Sequence, residues 1–359
     1  MKVAVYTIAL NEAAHAERWA MSAVEADYRI VGDTGSTDGT VDRLEALGVT
    51  VHQIAVLPWR FDLARNAVMS LIPTDADVCC TMDMDRYLEP GWRPALEKAW
   101  AANTTALFNR VEYKASVQES NVLRGWPAKN FHHRAGYRFH RPVHEALVYT
   151  GDEITADCPE IVMTEVQDLS KNTRSQYLPL MELAHLEGPD DAQICFWLAR
   201  DLMWAERGSD AAAMFKRYLD LPSSTWSDER SEAMRFIARV EPEQKMYWLD
   251  RARLEAPHRR EVWLDLAEHF HSDSDWPNLF WACTNGIRTT RMTNSYLDES
   301  NAWSFRLNDL GAIAAWHLNV MDLAVEWGTA ALTLGPDNQR LKTNLDFFQR
   351  LREERRAAQ

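Results

Sequence analysis

Over roughly the first 150 residues, short β-branched runs alternate with stretches of helical spacing, and this alternation restricts the fold more than any other feature. Val3 to Ile8, Tyr28 to Val31, Val49 to Val56 and Val78 to Met82 read as strands. Between them, Asn11 to Ala26, Thr37 to Leu47 and Phe61 to Leu71 place apolar residues three and four apart; Gly48 stops the second and Pro73 the third. A helix over Pro94 to Ala102 and a strand over Ala106 to Tyr113 follow, and Ser116 to Arg141, rich in Arg, His, Trp and Pro, reads as irregular. Strands separated by helices of this length build βαβ units, so the expected domain is α/β, Rossmann-like, with a mostly parallel sheet.

Beyond about Arg174 the pattern becomes almost wholly helical. Two segments approach the tetratricopeptide repeat of roughly 34 residues. One is Trp197 to Arg200 with Ala211, Phe215 and Pro222; the other is Leu310-Gly311 with Ala315, Ala324, Ala331 and Pro336. A third, Trp263 to Phe270 followed by Trp276 to Ile287, fits less closely. The expected organisation is a nucleotide-binding domain over residues 1–165 and an all-α helical-repeat domain over residues 170–359. The character changes near the polar Ser170-Lys171-Asn172-Thr173.

The chain has a formal net charge of −14, which disfavours nucleic acid and anionic membranes as partners without excluding a local basic patch. No apolar stretch approaches the roughly 20 residues that span a bilayer, and Met1-Lys2-Val3-Ala4 opens no signal-like segment. A cytoplasmic protein is expected. The five cysteines are odd in number and scattered, with no zinc spacing, and on a strand Cys79 and Cys80 would point to opposite faces. They read as small core residues of a reducing compartment.

In a parallel sheet, ligands bind beyond the carboxyl ends of the strands. Asp33-Thr34-Gly35-Ser36-Thr37-Asp38-Gly39-Thr40 follows the second strand. There Asp33 is suited to accept from a base N–H or from ribose hydroxyls, and Ser36 or Thr37 to cap the next helix. Asp83-Met84-Asp85 follows the fourth strand, where two carboxylates at a strand exit can converge on Mg²⁺ or Mn²⁺ bridging a diphosphate.

Five segments in this order resemble the family-2 glycosyltransferases of the GT-A fold. They are Ala9-Leu10-Asn11-Glu12, the Asp33 to Thr40 loop, Ala64-Arg65-Asn66, Asp83-Met84-Asp85 and Val143-His144-Glu145. The resemblance covers roughly residues 1–150; a looser similarity in layout extends to the sublancin-type peptide S-glycosyltransferases with their C-terminal helical repeats. It implies that Thr7, Ala9, Asn11, Glu12, Asp33 and Ser36 hold a uracil-type base and ribose. It places the metal, ribose and diphosphate at Asp83, Met84 and Asp85, with Arg65 fixing that loop or a phosphate and His144 completing the metal site. The family often carries an acidic residue after the second Asp; here Arg86 stands there, which weakens binding of free metal until a diphosphate arrives.

Transfer of a sugar by inverting displacement needs a base for the acceptor's proton. Glu145 is the first candidate, because it follows the proposed metal ligand, and Glu112 the second. The expected activity is therefore transfer from a nucleotide-diphosphate sugar, a UDP-sugar above others. A protein or peptide is the favoured acceptor, because stacked repeats form extended concave surfaces. A DNA base or a polysaccharide is the alternative acceptor. Nucleotidyl transfer would call for a Gly-rich basic loop after the first strand, which Asn11-Glu12 does not supply, and an inactive scaffold sits poorly with intact Asp33, Asp83 and Asp85.

Overall fold

The computed structural model describes residues 1–114, 124–166, 177–293 and 295–357, in two compact units, Met1–Ala184 and His185–Gln359. The Ser170 to Thr173 stretch and the first part of the segment read as irregular lie outside the described residues.

The first unit is built on an eight-stranded sheet. Its strands are β1 (Val3–Ala9), β2 (Tyr28–Asp33), β3 (Thr50–Gln53), β4 (Val78–Thr81), β5 (Arg86–Leu88), β6 (Ala106–Lys114), β7 (Arg124–His133) and β10 (Thr155–Val166); β8 (Tyr137–His140) and β9 (Ala146–Tyr149) form a separate hairpin. The order is β3-β2-β1-β4-β7-β6-β10-β5. The β3-β2-β1-β4 half is parallel throughout. Beyond it β7 runs antiparallel to both β4 and β6, β10 is parallel to β6, and β5 is antiparallel to β10. The sheet is thus mixed, four of its seven pairings being parallel, which corrects the expectation of a mostly parallel one only in its β7 and β5 pairings.

That correction shares a cause with another. Ser116 to Arg141 is not irregular where described: β7 and β8 lie within it. Its Arg, His and Trp side chains hide the period-2 signal, while the backbone finds partners on both sides, Phe131 to His133 against β4 and a longer register against β6. Pro127 is tolerated because it pairs only with Arg110 of β6, beyond the end of the β4 ladder.

Helices cover both faces. Val3, Val5, Val31 and Cys80 face a layer of α1 (Ala16–Ser22), α2 (Thr40–Ala46) and α4 (Trp92–Ala99), with Trp19, Leu44, Trp92 and Leu96 buried there. Ala4, Tyr6, Ile30 and Cys79 face α3 (Phe61–Ser70) and the β8–β9 hairpin through Val68, Phe139 and Leu147. Burial on both faces explains why these strands read as continuous apolar runs. Cys79 and Cys80 lie in opposite layers as expected, and all five cysteines are buried and free. At Gly32 an added Cβ would collide with Val68 and reach Ile54 Cδ1 at 2.9 Å, so glycine lets α3 settle closely onto β2.

The second unit is all-α. Hairpins α6/α7 (Ala192–Trp204, Gly208–Asp220), α8/α9 (Ser227–Val240, Lys245–Glu255), α10/α11 (Arg260–Ser272, Trp276–Arg288) and α12/α13 (Arg306–His317, Met321–Leu334) pack in chain order, closed by α14 (Gln339–Ala357). A helix α5 (Leu178–Glu187) precedes them. Nearest-neighbour packing of paired helices is the arrangement of a repeat array. The sequence segments at Trp197, Trp263 and Leu310 fall on the first, third and fourth hairpins, and the α8/α9 hairpin carries no such segment. No helix among the described residues is long and apolar enough to cross a membrane.

Candidate active site

In the parallel half, the chain leaves β1 toward β2 on one side while β4 adds on the other, so the strand order switches at β1, the place where open parallel sheets bind ligands beyond the strand ends. Asp33 ends β2, opposite Ala9 of β1, and β4 runs out at Thr81, just before Asp83. β2 and β4 flank β1, so their tips lie about 10 Å apart, two strand spacings.

The β1 and β2 exits are tied to each other. The Ala9 carbonyl accepts from Thr34 N (2.9 Å) and Thr34 Oγ1 (3.0 Å). Asn11, at φ 56°, donates its N–H to Ser36 Oγ (2.8 Å), and its Oδ1 accepts from Thr37 N (2.8 Å). Glu12 N donates to Thr40 Oγ1 (2.7 Å) and Ala13 N to Asp38 Oδ2 (3.0 Å), while the Glu12 carboxylate stands 3.9 Å from His15. This clamp delays α1 until Ala16, later than the helical pattern implied. Neither Ser36 nor Thr37 caps α2: Gly39 is its N-cap, and Thr40 N donates to Asp38 Oδ1 at 3.1 Å. Both hydroxyl residues instead join the loops. Thr7 is buried within β1, its Oγ1 donating to the Ile8 carbonyl (3.3 Å).

Asp33 is fully buried. Its Oδ2 accepts from Gly35 N (2.9 Å) and Ser36 N (3.0 Å), whereas Oδ1 is buried without a hydrogen-bond partner among the described residues. A buried carboxylate oxygen left unpaired is costly, and it is suited to a donor arriving from outside the chain.

At the β4 exit, Met82 N still donates to Tyr6 O (3.2 Å), and Trp19 Nε1 holds the Met82 carbonyl at 2.8 Å. The chain then turns, Arg86 N donating to the Asp83 carbonyl (3.0 Å), with Met84 buried inside the turn. Asp83 Oδ1 accepts from Arg65 Nη2 at 2.6 Å, and Arg86 Nη1 lies 3.5 Å from Asp83 Oδ2. Arg65 Nε donates to Glu145 Oε1. Arg86 also reaches Glu165 Oε2 (2.8 Å), because Arg86 and Glu165 face each other in the β5–β10 register. The result is an alternating chain Glu145–Arg65–Asp83–Arg86–Glu165.

Burial opposes the charge on Arg65, but Asp83 and Glu145 outweigh it and hold the guanidinium above its usual range. Arg86 behaves the same way, with burial overcome by Asp83, Glu165 and Asp85. Burial pushes the Glu165 carboxyl upward; Arg86 opposes this, and Asp85 reinforces it.

The loop carrying Val143-His144-Glu145 is fastened to α3. Asn66 makes both backbone bonds of Phe139, donating from Nδ2 to its carbonyl (2.8 Å) and accepting its N–H on Oδ1 (2.9 Å). Phe61 N donates to the Pro142 carbonyl (3.0 Å). His144, exposed and at φ 49°, and Glu145 thereby share a cleft of about 320 Å³ with Arg65, Asp83, Arg86 and Lys129. Glu112 does not line this cleft; it pairs with Arg110 on β6 (2.8 Å).

No group of three or more His, Cys, Asp or Glu able to hold a metal ion occurs among the described residues, so Asp83, Asp85 and His144 are not preassembled as a three-ligand site. Three participants had no assigned role in the sequence reading. Asn66 stands in one of the five segments, Arg86 was noted only as a departure, and Glu165 left no local signal because its place depends on antiparallel pairing across the sheet.

No family model matches the sequence, and no curated protein matches it. Among solved structures the chain is distantly similar to TarS of S. aureus, at 12% identity and TM-score 0.42 over 72% of this chain and 55% of that one. A thermophilic TPR protein of Thermus thermophilus is 16% identical, with TM-score 0.31 over 49% of this chain and 90% of that one. Pseudomonas aeruginosa pilF is 14% identical, with TM-score 0.37 over 49% of this chain and 76% of that one. The chain spans about half the length of TarS.

Proposed function

We propose that the first unit is a GT-A-type glycosyltransferase domain of the family-2 kind, which takes a nucleotide-diphosphate sugar, a UDP-sugar above others, and passes the sugar to a protein or peptide. The observation that carries the reading is the buried Asp33 Oδ1 at the β2 tip, without a partner among the described residues and two strands from the Asp83 turn. In this reading Asp33 accepts from the base or ribose of the donor, and the clamped Ala9–Glu12 and Thr34–Ser36 loops frame the nucleoside. The diphosphate lies toward Asp83 and Asp85, with Arg86 and Lys129 as cations near it.

Asp83 and Asp85 offer hard oxygens that suit Mg²⁺ or Mn²⁺, an ion commonly held by one or two carboxylates with substrate phosphates completing its shell. Bound there, the ion supplies charge neutralisation for the departing diphosphate. Asp83 must then exchange part of its contact with Arg65 and Arg86 for the ion, so binding of free metal is weak and rises with the diphosphate present. His144 lies in the same cleft as a further ligand in this reading.

The acceptor heteroatom forms a bond to the anomeric carbon as the bond from that carbon to the diphosphate oxygen breaks, and the acceptor's proton passes to a carboxylate. Glu145 fits that role: Arg65 holds its Oε1, and the side chain lines the same cleft as Asp83 and His144. Incubating the whole chain with a panel of nucleotide sugars and Mn²⁺ tests the proposal. Slow hydrolysis of one donor, lost in Asp33→Asn, is expected; indifference to every donor overturns it.

A further inference from the structure

A second cavity, of about 440 Å³, lies wholly within the helical unit, between the start of α6, the end of α7 and the start of α8. Its chemistry differs from that of the first. Glu229, 5% exposed, forms part of its wall, and among the described residues its carboxylate receives only neutral donors. These are Tyr218 Oη at 2.9 Å to Oε1, Gln193 Nε2 at 3.1 Å to Oε2, and the Tyr296 hydroxyl to Oε2. Burial, with the Glu229 charge adding to it, holds both phenols above their usual range, so they remain donors.

No cation among the described residues pairs with Glu229. Arg230, next in the chain, turns away to Glu255 (2.7 Å) and to the carbonyls of Leu219 (2.9 Å) and Ser224 (3.2 Å). Arg217 is taken up by Asp190 (2.9 Å) and the Pro189 carbonyl. Asp191 caps α6 through Ile194 N and adds another carboxylate to the lining. Trp226 belongs to the lining, Tyr296 meets it edge to face at 5.7 Å between centroids, and both rings remain more than a third exposed. A buried carboxylate with neutral partners only is an incomplete arrangement, because a charge out of water is ordinarily paired. Aromatic faces beside a carboxylate favour a ligand cation on a short apolar stem over a neutral polar group.

We infer that this cavity binds a basic side chain, the guanidinium or ammonium group of an arginine or lysine on a peptide, with Glu229 as counter-ion and Trp226, backed by Tyr296, as the aromatic wall. The inference stands without the transferase reading, since every residue it uses lies in the helical unit.

The test uses the full chain and two capped tripeptides, acetyl-Gly-Arg-Gly-amide and its Gln counterpart, followed through the Trp226 indole N–H resonance, assigned with Trp226→Phe. The Arg peptide should shift that resonance and saturate, the Gln peptide should not, and added NaCl should weaken the response. Glu229→Gln should lower the affinity at least tenfold with the circular dichroism spectrum unchanged. Should that variant unfold, Trp226→Ala, at an exposed rim position, should still weaken binding several-fold, read by calorimetry. Equal shifts with both peptides, no shift with either, or full affinity in both variants would overturn the inference.

Discussion

Arg65 stands between two carboxylates, with Nη2 at 2.6 Å from Asp83 Oδ1 and Nε donating to Glu145, so one helical side chain sets the distance between the β4 exit and the β8–β9 loop. Its side chain is 12% exposed, and both partners carry the opposite charge. Deleting the cation leaves two carboxylates facing each other in a half-buried cleft. Removing one member of a buried pair costs about 3 kcal/mol. Arg65→Met is therefore expected to lose about that much stability in urea unfolding, and Arg65→Lys nearly as much, because an ammonium group cannot serve both carboxylates as a planar fork does. A melting curve equal to that of the parent would show that the bridge is incidental.

The Asp83-Met84-Asp85 turn supports a prediction about metal. UDP should raise the melting temperature in Mn²⁺ or Mg²⁺ and have little effect in EDTA, because a ligand that binds only the native state stabilises it by mass action. Asp85→Ala should abolish donor hydrolysis while leaving the circular dichroism unchanged, since Asp85 is only half-buried whereas Met84 beside it is part of the core. Equal protection by UDP with and without metal would count against a metal bridge.

Asp33 supports a sharper one. In Asp33→Asn the amide oxygen can still accept from Gly35 N and Ser36 N, but Oδ1 becomes an N–H₂ group that repels a ligand donor. A hydrogen bond to a charged group contributes about 1.5–3 kcal/mol, so UDP affinity should fall roughly tenfold to a hundredfold by calorimetry. Unchanged affinity would place the base elsewhere.

In the helical unit, an added Cβ at Gly286 would lie 2.6 Å from Leu307 Cδ2 and 2.8 Å from Trp263 Cβ. Alanine gains about 1 kcal/mol of helix propensity, yet forcing a methyl group into a packed crossing costs about 1–3 kcal/mol. The leucine tip can give way, whereas Trp263 Cβ is fixed to its own helix. Gly286→Ala should therefore be destabilising in thermal unfolding; a stabilised variant would mean that the crossing relaxes.

Much of this was legible in the chain itself, for reasons that differ by residue. β1, β2 and β4 are buried on both faces, so their apolar runs ended visibly at Asp33 and just before Asp83. The helical hairpins showed through small residues such as Gly311, where an added Cβ would meet Trp327 Cε3 at 2.7 Å. What stayed hidden depends on pairing between distant segments. β7 borrows its hydrogen bonds from β4 and β6 despite an unpromising composition, and Glu165 meets Arg86 only through the β5–β10 register. The partner of Arg65 was equally illegible, because helical spacing reveals which face a residue occupies and not which carboxylate it meets. His132 shows the same limit: in a stretch that reads as a histidine-rich loop, it is fully buried.

His132 makes the first unit sensitive to acid. Its Nδ1 lies 2.7 Å from the His133 carbonyl and its Nε2 2.9 Å from Tyr6 Oη. A carbonyl can only accept, so Nδ1 carries the hydrogen and Nε2 accepts from the phenol, which burial keeps protonated. Protonating Nε2 would replace an accepted bond by a buried charge that has no counter-ion among the described residues. Burial accordingly lowers the His132 pKa from 6.5 to about 4. A depressed pKa means that the folded state takes up this proton later than the unfolded chain. The contribution is therefore fully present above pH 6.5, declines as pH falls from there, and is gone below about pH 4. The shift corresponds to about 3 kcal/mol across that window. Urea unfolding of the parent and of His132→Gln at pH 7.5, 6, 5 and 4 checks this. The stability difference between the two proteins should shrink steadily as the pH is lowered, and a difference independent of pH would show that His132 does not titrate on unfolding.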